Sequence, residues 1–253
     1  MRLEPSATSE IWDEIAVFVL SVKTFDDRIS SVRSQLDSLH IPFQFVFRFD
    51  VPDFDKDPVP LRLSPGAPIS QKEISLVAKH AEAWRLGVVS GKKYALILED
   101  DFILGANFSD LFDQLLKQLS QLSAGFLVNL GGANAKLPFG FFLSRDYFYP
   151  FRFETAEGYL SDQLALARRL SWLELNLIGL PADHLIRKID EDKNTSHWWP
   201  PCALLEQGSL FGRFSSALDE RRSQTVRFLL MASYWSKKFR RRILPGLVAK
   251  ILK

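Results

Sequence analysis

Two uninterrupted apolar runs restrict the fold of this chain more than any other feature. They are Ile15-Ala16-Val17-Phe18-Val19-Leu20 and Tyr94-Ala95-Leu96-Ile97-Leu98. Neither alternates with polar residues, so each reads as a strand covered on both faces, as in a parallel sheet between helical layers. The second run ends in Glu99-Asp100-Asp101. Three adjacent carboxylates repel one another and lose solvation unless a cation or a donor network compensates. A bound divalent metal is one compensation; the plainer alternative is a solvated surface turn.

The segments around these runs alternate between helical and extended patterns. Residues 24–39 place Ile29, Val32, Leu36 and Leu39 on one helical stripe. Phe43 to Phe49 follows as a second strand, and the Pro- and Asp-rich residues 50–70 as a loop. Residues 71–89 read as a helix. Phe108 to Leu122 reads as an amphipathic helix with Asn107 as its N-cap. Phe126 to Leu130 and Phe139 to Leu143 read as strands, the first ended by Gly131-Gly132. Ser161 to Leu173 reads as a helix, while 145–158 and 188–215 read as irregular. The pattern specifies an α/β fold with a mostly parallel central sheet flanked by helices. The three carboxylates then lie at the carboxyl end of a strand, where open α/β sheets bind ligands.

Charge divides the chain unevenly. Residues 221–253 hold ten Lys or Arg and no acid, while the remainder holds 22 basic and 30 acidic side chains, a net −8. We therefore read 1–220 as one domain and 221–253 as a basic amphipathic tail, broken at Pro245-Gly246. Its interleaved aromatic and cationic residues suit an anionic membrane surface. With no recognition module elsewhere, nucleic acid is not expected as a partner. No apolar run reaches transmembrane length. The N-terminal MRLEPSATSEIWDE lacks the apolar core of a signal peptide. The single cysteine, Cys202, excludes an intrachain disulfide. The expected location is cytoplasmic, peripheral at the inner face of a bacterial inner membrane.

Several residues carry the candidate chemistry. If the strand continues, Glu99 and Asp101 share a face and have the spacing of a D-x-D pair for Mn²⁺ or Mg²⁺, with substrate phosphates completing the shell. Glu73, Val77, His80 and Trp84 form one helical stripe, which a pure core stripe would rarely build from Glu and His. Glu73 is either a helix-start residue or a group near a bound sugar or nucleotide. His80 either packs on the sheet or orients a carboxylate. Arg28 is placed to reach nucleotide phosphates or to lie solvated on its helix. His184 and His197 are candidate late metal ligands or hydrogen-bonded structural residues. Trp198, Trp199 and Phe211 suit stacking on sugar rings or cover for a sheet edge. Tyr147, Phe148 and Tyr149 are similarly open.

Taken in order, these stretches resemble glycosyltransferase family 25, the bacterial lipooligosaccharide biosynthesis enzymes, which is itself similar to the procollagen galactosyltransferases. The matching elements are Val17 to Ser21 with Arg28, the helix Glu73 to Trp84, the run Ala95 to Asp101, Pro181-Ala182-Asp183-His184, and Leu205 to Ser209 with Gln207 and Ser209. The chain departs from the family pattern at Lys79, where Ser is usual, at Ile74-Ser75, where Gly-Cys is usual, and at Glu157, where His is common. The resemblance implies a GT-A-like nucleotide-diphospho-sugar transferase fold. It also implies inverting transfer of galactose or glucose from a UDP-sugar to a lipid-carried oligosaccharide. It would make Asp101 the metal ligand, with Glu99 and His184 as further candidates and Mn²⁺ favoured over Mg²⁺. Arg28, Glu99, Asp100 and His80 would bind the donor. Asp183 is the first candidate for the base, with Glu157 and Glu73 behind it. Two readings compete: a non-catalytic sugar- or nucleotide-binding module that retains the fold, and a metal-dependent phosphohydrolase.

Overall fold

A computed structural model describes residues 11–131, 136–152, 155–209, 214 and 232–252. Seven strands form its central sheet: β1 (Ile15–Leu20), β2 (Gln44–Val46), β3 (Tyr94–Glu99), β5 (Phe126–Asn129), β6 (Tyr149–Pro150), β7 (Gly158–Asp162) and β8 (Ser196–Trp199). Their order is β2-β1-β3-β7-β5-β8-β6. Five strands share one direction, while β7 and β6 run against them. Strands β4 (Phe102–Leu104) and β9 (Leu205–Gln207) form a separate antiparallel ribbon. The α/β class and the mostly parallel sheet are as the sequence indicates.

Every residue of β1 is buried, as its uninterrupted apolar run requires. Alternate residues point into two different cores. Ile15, Val17, Val19, Leu96 and Leu98 meet Val32 and Leu36 of helix α1 (Asp26–Ser38) and Phe112 and Leu115 of α3 (Phe108–Gln118). Ala16, Phe18, Leu20, Ala95 and Ile97 pack with Val77 and Trp84 of α2 (Gln71–Val89). Leu166 of α5 (Gln163–Leu175) and Ile189 of α6 (Ala182–Asp192) complete that second core. The sheet is therefore the middle of three layers.

Several local expectations change. Phe139–Leu143 is a short helix, α4, rather than a strand; Pro138 precedes it with extended backbone, and five residues are too few for periodicity to decide. The second strand stops at Val46, because the chain turns through Phe49, whose φ is +67°. Asn107 makes no side-chain cap. Strands β7 and β8 occupy stretches read partly as helix and loop. β7 lies between β3 and β5, and its polar Ser161 and Asp162 hide the strand pattern by serving buried hydrogen bonds.

Pro245-Gly246 does not break the C-terminal helix. Residues 232–238 are helical, Phe239–Ile243 is a π-helical segment, and α7 (Leu244–Leu252) continues from it. Proline removes a donor and crowds the carbonyl four residues back, and the widened turn before Pro245 accommodates both. This segment packs on the body: α7 lies against α4, Lys238 pairs with Glu206 of β9 at 2.5 Å, and the Arg242 guanidinium lies 4.9 Å from the Trp199 ring centre.

Candidate active site

The carboxyl ends of β1 and β3 are in register, Leu20 beside Glu99. The chain leaves β3 at Glu99, so Asp100 and Asp101 lie in a turn and strand alternation no longer governs them. The expected division, with Glu99 and Asp101 on one face and Asp100 opposed, does not hold. All three line a cavity of about 500 Å³, together with Ser21, Phe25, Arg28, Lys79, Gln207 and Ser209.

Each carboxylate has a different environment. Asp100 is buried and accepts hydrogen bonds from Ser21 Oγ at 2.7 Å and Arg28 Nη1 at 2.5 Å. Burial raises its pKa, against the opposing pull of Arg28 and Ser21. Asp100 is thus tied to the wall and holds Arg28 at the cavity, with Phe25 5.0 Å from the guanidinium. The Asp101 backbone carbonyl accepts the Gly208 N–H at 2.5 Å, but its side-chain Oδ1 is buried without a hydrogen-bond partner. A buried carboxylate oxygen without a donor is costly unless a cation completes it. Glu99 is partly buried, and its pKa lies well above the ordinary carboxylate value. Desolvation is the main cause, followed by the charges of Asp101, Glu157, Asp100 and Asp183.

Glu157 and Asp183 do not line the cavity, but their charges act on Glu99. Asp183 lies in the first turn of α6, where its Oδ1 accepts the His184 N–H at 2.8 Å. Glu157 is buried just before β7, and a Cβ on Gly131 would come within 2.5 Å of its Oε1. Glycine at 131 therefore makes room for this carboxylate.

Other candidates sit elsewhere. Glu73 closes a capping box at the start of α2: its Oε2 accepts from Ser70 N and Oγ, both at 2.7 Å, while Ser70 Oγ accepts from Glu73 N. That is a helix-start role, and Glu73 does not line the cavity. His80 does not line the cavity either. It is buried behind Glu99, with Nδ1 3.0 Å from Tyr159 Oη and Nε2 3.8 Å from Glu99 Oε1. Desolvation, with the nearby Arg169 charge, holds its pKa down at about 3, so it is neutral. His197 bonds Asp190 at 2.7 Å inside a buried network. Among the described residues no group of three or more His, Cys, Asp or Glu is arranged to hold a metal, so His184 is not gathered with Asp101 and Glu99. Trp199 is fully buried, and Phe211 lies outside the described residues.

The site also contains residues that the sequence reading left out. Lys79, noted only as a departure from a motif, lies on the cavity wall. Its Nζ donates to Asp50 Oδ1 at 2.6 Å and to the Arg48 carbonyl at 3.0 Å. Desolvation lowers its pKa despite Asp50. Asp50 follows the left-handed turn at Phe49 and also accepts the Lys23 N–H at 3.0 Å. Lys79 is marked only by its burial, which calls for a partner and which no local sequence pattern displays.

Part of the chain is similar to known proteins. Residues 14–137 match the model of glycosyltransferase family 25 (LPS biosynthesis protein). The resemblance holds. The family match includes Arg28, Lys79 and the Glu99-Asp100-Asp101 turn, and ends before Glu157, Asp183 and Gln207. A putative glycosyltransferase of Haemophilus influenzae is 30% identical over 101 residues, which cover 38% of this chain and 36% of that one. The aligned part is thus little more than a third of that relative's length. A mannose-1-phosphate geranyltransferase from Thermus thermophilus superposes with a TM-score of 0.34 at 13% identity, covering 74% of this chain and 73% of that one.

Proposed function

We propose that this protein is a glycosyltransferase of lipopolysaccharide or lipooligosaccharide synthesis. It would move a hexose, galactose or glucose, from a UDP-sugar to an acceptor hydroxyl with inversion, within a GT-A-like fold. The observation that carries this reading is Asp101 Oδ1, a buried acceptor without a donor at a cavity that Arg28 and Lys79 also line. Acidic and basic groups lining one cavity suit a cation together with an anionic diphosphate.

The residues fit a divalent metal only with help from substrate. Asp101 and Glu99 would hold it, and diphosphate oxygens would complete the shell, in the manner of a magnesium or manganese site. When bound, the metal supplies charge stabilisation for the departing diphosphate. Arg28 is kept in place by Asp100 and adds positive charge to the same cavity. Lys79, fixed by Asp50, does so from α2. Asp183 is the first candidate to take the acceptor proton, being a partly buried carboxylate near Glu99; Glu157 is the second. The acceptor oxygen forms the new bond to the anomeric carbon while the bond to the diphosphate oxygen breaks.

The test is transfer from UDP-galactose and from UDP-glucose, each with Mn²⁺, to a lipooligosaccharide acceptor. Asp101→Asn is expected to lower turnover by about 100-fold or more. It should also abolish the rise in thermal stability that Mn²⁺ with UDP gives the unaltered protein. Equal turnover in the variant would remove Asp101 from the mechanism. UDP binding without transfer to any acceptor would favour the non-catalytic module.

A further inference from the structure

The outer face of the C-terminal helical segment is apolar and uncovered. Of seventeen large apolar side chains exposed among the described residues, eight belong to this segment, and two more, Phe139 and Leu143, belong to the helix it packs against. Trp235, Phe239, Ile243, Leu247 and Ile251 recur every fourth residue, with Leu244, Val248 and Leu252 beside them; Ile251 is 83% exposed. The opposite stripe faces the body: Tyr234 and Ala249 are buried, Lys238 pairs with Glu206, and Arg242 covers Trp199. The segment's inward face is therefore packed on the protein, and its outward face is exposed.

We propose that this outward face docks on an anionic lipid bilayer. Residues 232–252 carry six Lys or Arg and no acid. Lys237, Arg240 and Lys250 are exposed around the apolar stripe. Apolar residues flanked by cations match a bilayer surface, where side chains enter the acyl boundary and cations meet headgroup phosphates. A second copy of the chain would set cations against cations, which opposes pairing through this face. The rest of the chain, 1–220, carries a net −8, so other faces are repelled by the same lipids and the orientation is set.

The docked orientation also bears on the cavity. Lys238 ties the segment to Glu206, whose neighbour Gln207 lines the cavity beside Asp101. If the glycosyltransferase reading holds, docking keeps the cavity beside a lipid-carried acceptor. Lipid binding itself does not depend on that reading.

The test uses the full chain in flotation with vesicles of phosphatidylcholine alone or in equal parts with phosphatidylglycerol. Flotation is expected only with the anionic vesicles, weakened by added salt. Two surface variants separate the contributions: Phe239→Ser with Leu247→Ser and Ile251→Ser, and Lys237→Glu with Arg240→Glu and Lys250→Glu. Each should lower vesicle partitioning about tenfold or more, with an unchanged thermal unfolding midpoint. No flotation of the unaltered protein overturns the proposal, as does flotation of both variants equal to that of the unaltered protein. So does an apolar variant whose only change is conversion of a dimer to a monomer on sizing. Transfer to a soluble acceptor is measured separately, so failure of docking and failure of catalysis remain distinct results.

Discussion

At the scale of single residues, the candidate site is a set of carboxylates given unequal surroundings. Asp100 is consumed by Arg28 and Ser21, Glu99 is pushed toward its neutral form, and Asp101 keeps an oxygen without a donor. Strand alternation set Glu99 and Asp101 apart from Asp100 in the sequence, but only their neighbours in the fold give each its own environment. Gly208 supports this arrangement at close range. A Cβ there would lie 2.7 Å from the Asp101 carbonyl oxygen and 2.9 Å from the Phe214 ring. The first neighbour is backbone and cannot rotate away. Gly208→Ala is therefore expected to cost about 1–3 kcal/mol by overpacking and to lower turnover by shifting Asp101. Urea unfolding and the transfer assay together would check it, and unchanged values in both would show that the turn relaxes freely.

At the scale of elements, α2 separates structural from functional roles within one amphipathic pattern. Its first turn is closed by Ser70 and Glu73, its middle gives Lys79 to the cavity, and its inner side gives His80 and Trp84 to the core. His80 and Trp84 both bond Tyr159 Oη of β7, so the stripe seen in the sequence is largely a packing stripe. The motif spacing was legible because one helix holds all four residues. The role of each was not, because it depends on which neighbour lies opposite. Glu73→Ala is expected to lose about 1 kcal/mol of stability through the cap with little change in turnover. Glu73→Gln should recover the stability. A large fall in turnover with the Gln variant would return Glu73 to the catalytic group.

At the scale of the whole molecule, a buried ionic network joins elements distant in sequence. Arg169 of α5 donates to both oxygens of Asp190 of α6, at 2.8 and 2.7 Å, and to Ser161 of β7 at 2.9 Å, while His197 of β8 meets Asp190 at 2.7 Å. Burial alone would raise the Asp190 pKa, but the Arg169 charge and the bonds from His197 and Arg169 outweigh it, and the carboxyl lies below 3.8. The folded state therefore binds this proton more weakly than the unfolded state. The resulting stability is present above the unfolded value and is lost as pH falls through the folded one. Asp190→Asn leaves Arg169 buried beside a neutral partner, with an expected loss of about 3–5 kcal/mol. Its stability should also fall less steeply on acidification below about pH 4. Unfolding midpoints measured from pH 7 downward would check both. The C-terminal segment belongs to this scale too. Because it packs on Glu206 and Trp199, deleting it would disturb the body, and point substitutions on its outer face isolate membrane docking better.

The sequence by itself determined the α/β class, the strands β1 and β3, the helices α1, α2 and α5, and the acidic turn at the end of β3. Continuous apolar runs and helical spacing are local signals, and a strand buried on both faces has few other architectures open to it. Only the tertiary structure decided which carboxylate keeps a lone acceptor, that Lys79 reaches the cavity wall held by Asp50, and that Glu73 caps a helix. The same holds for the polar strand β7 at the centre of the sheet and for the packed basic helix. Each of these depends on partners far away in the chain, and burial, charge pairing and hydrogen bonding between such partners leave no period in the sequence to read.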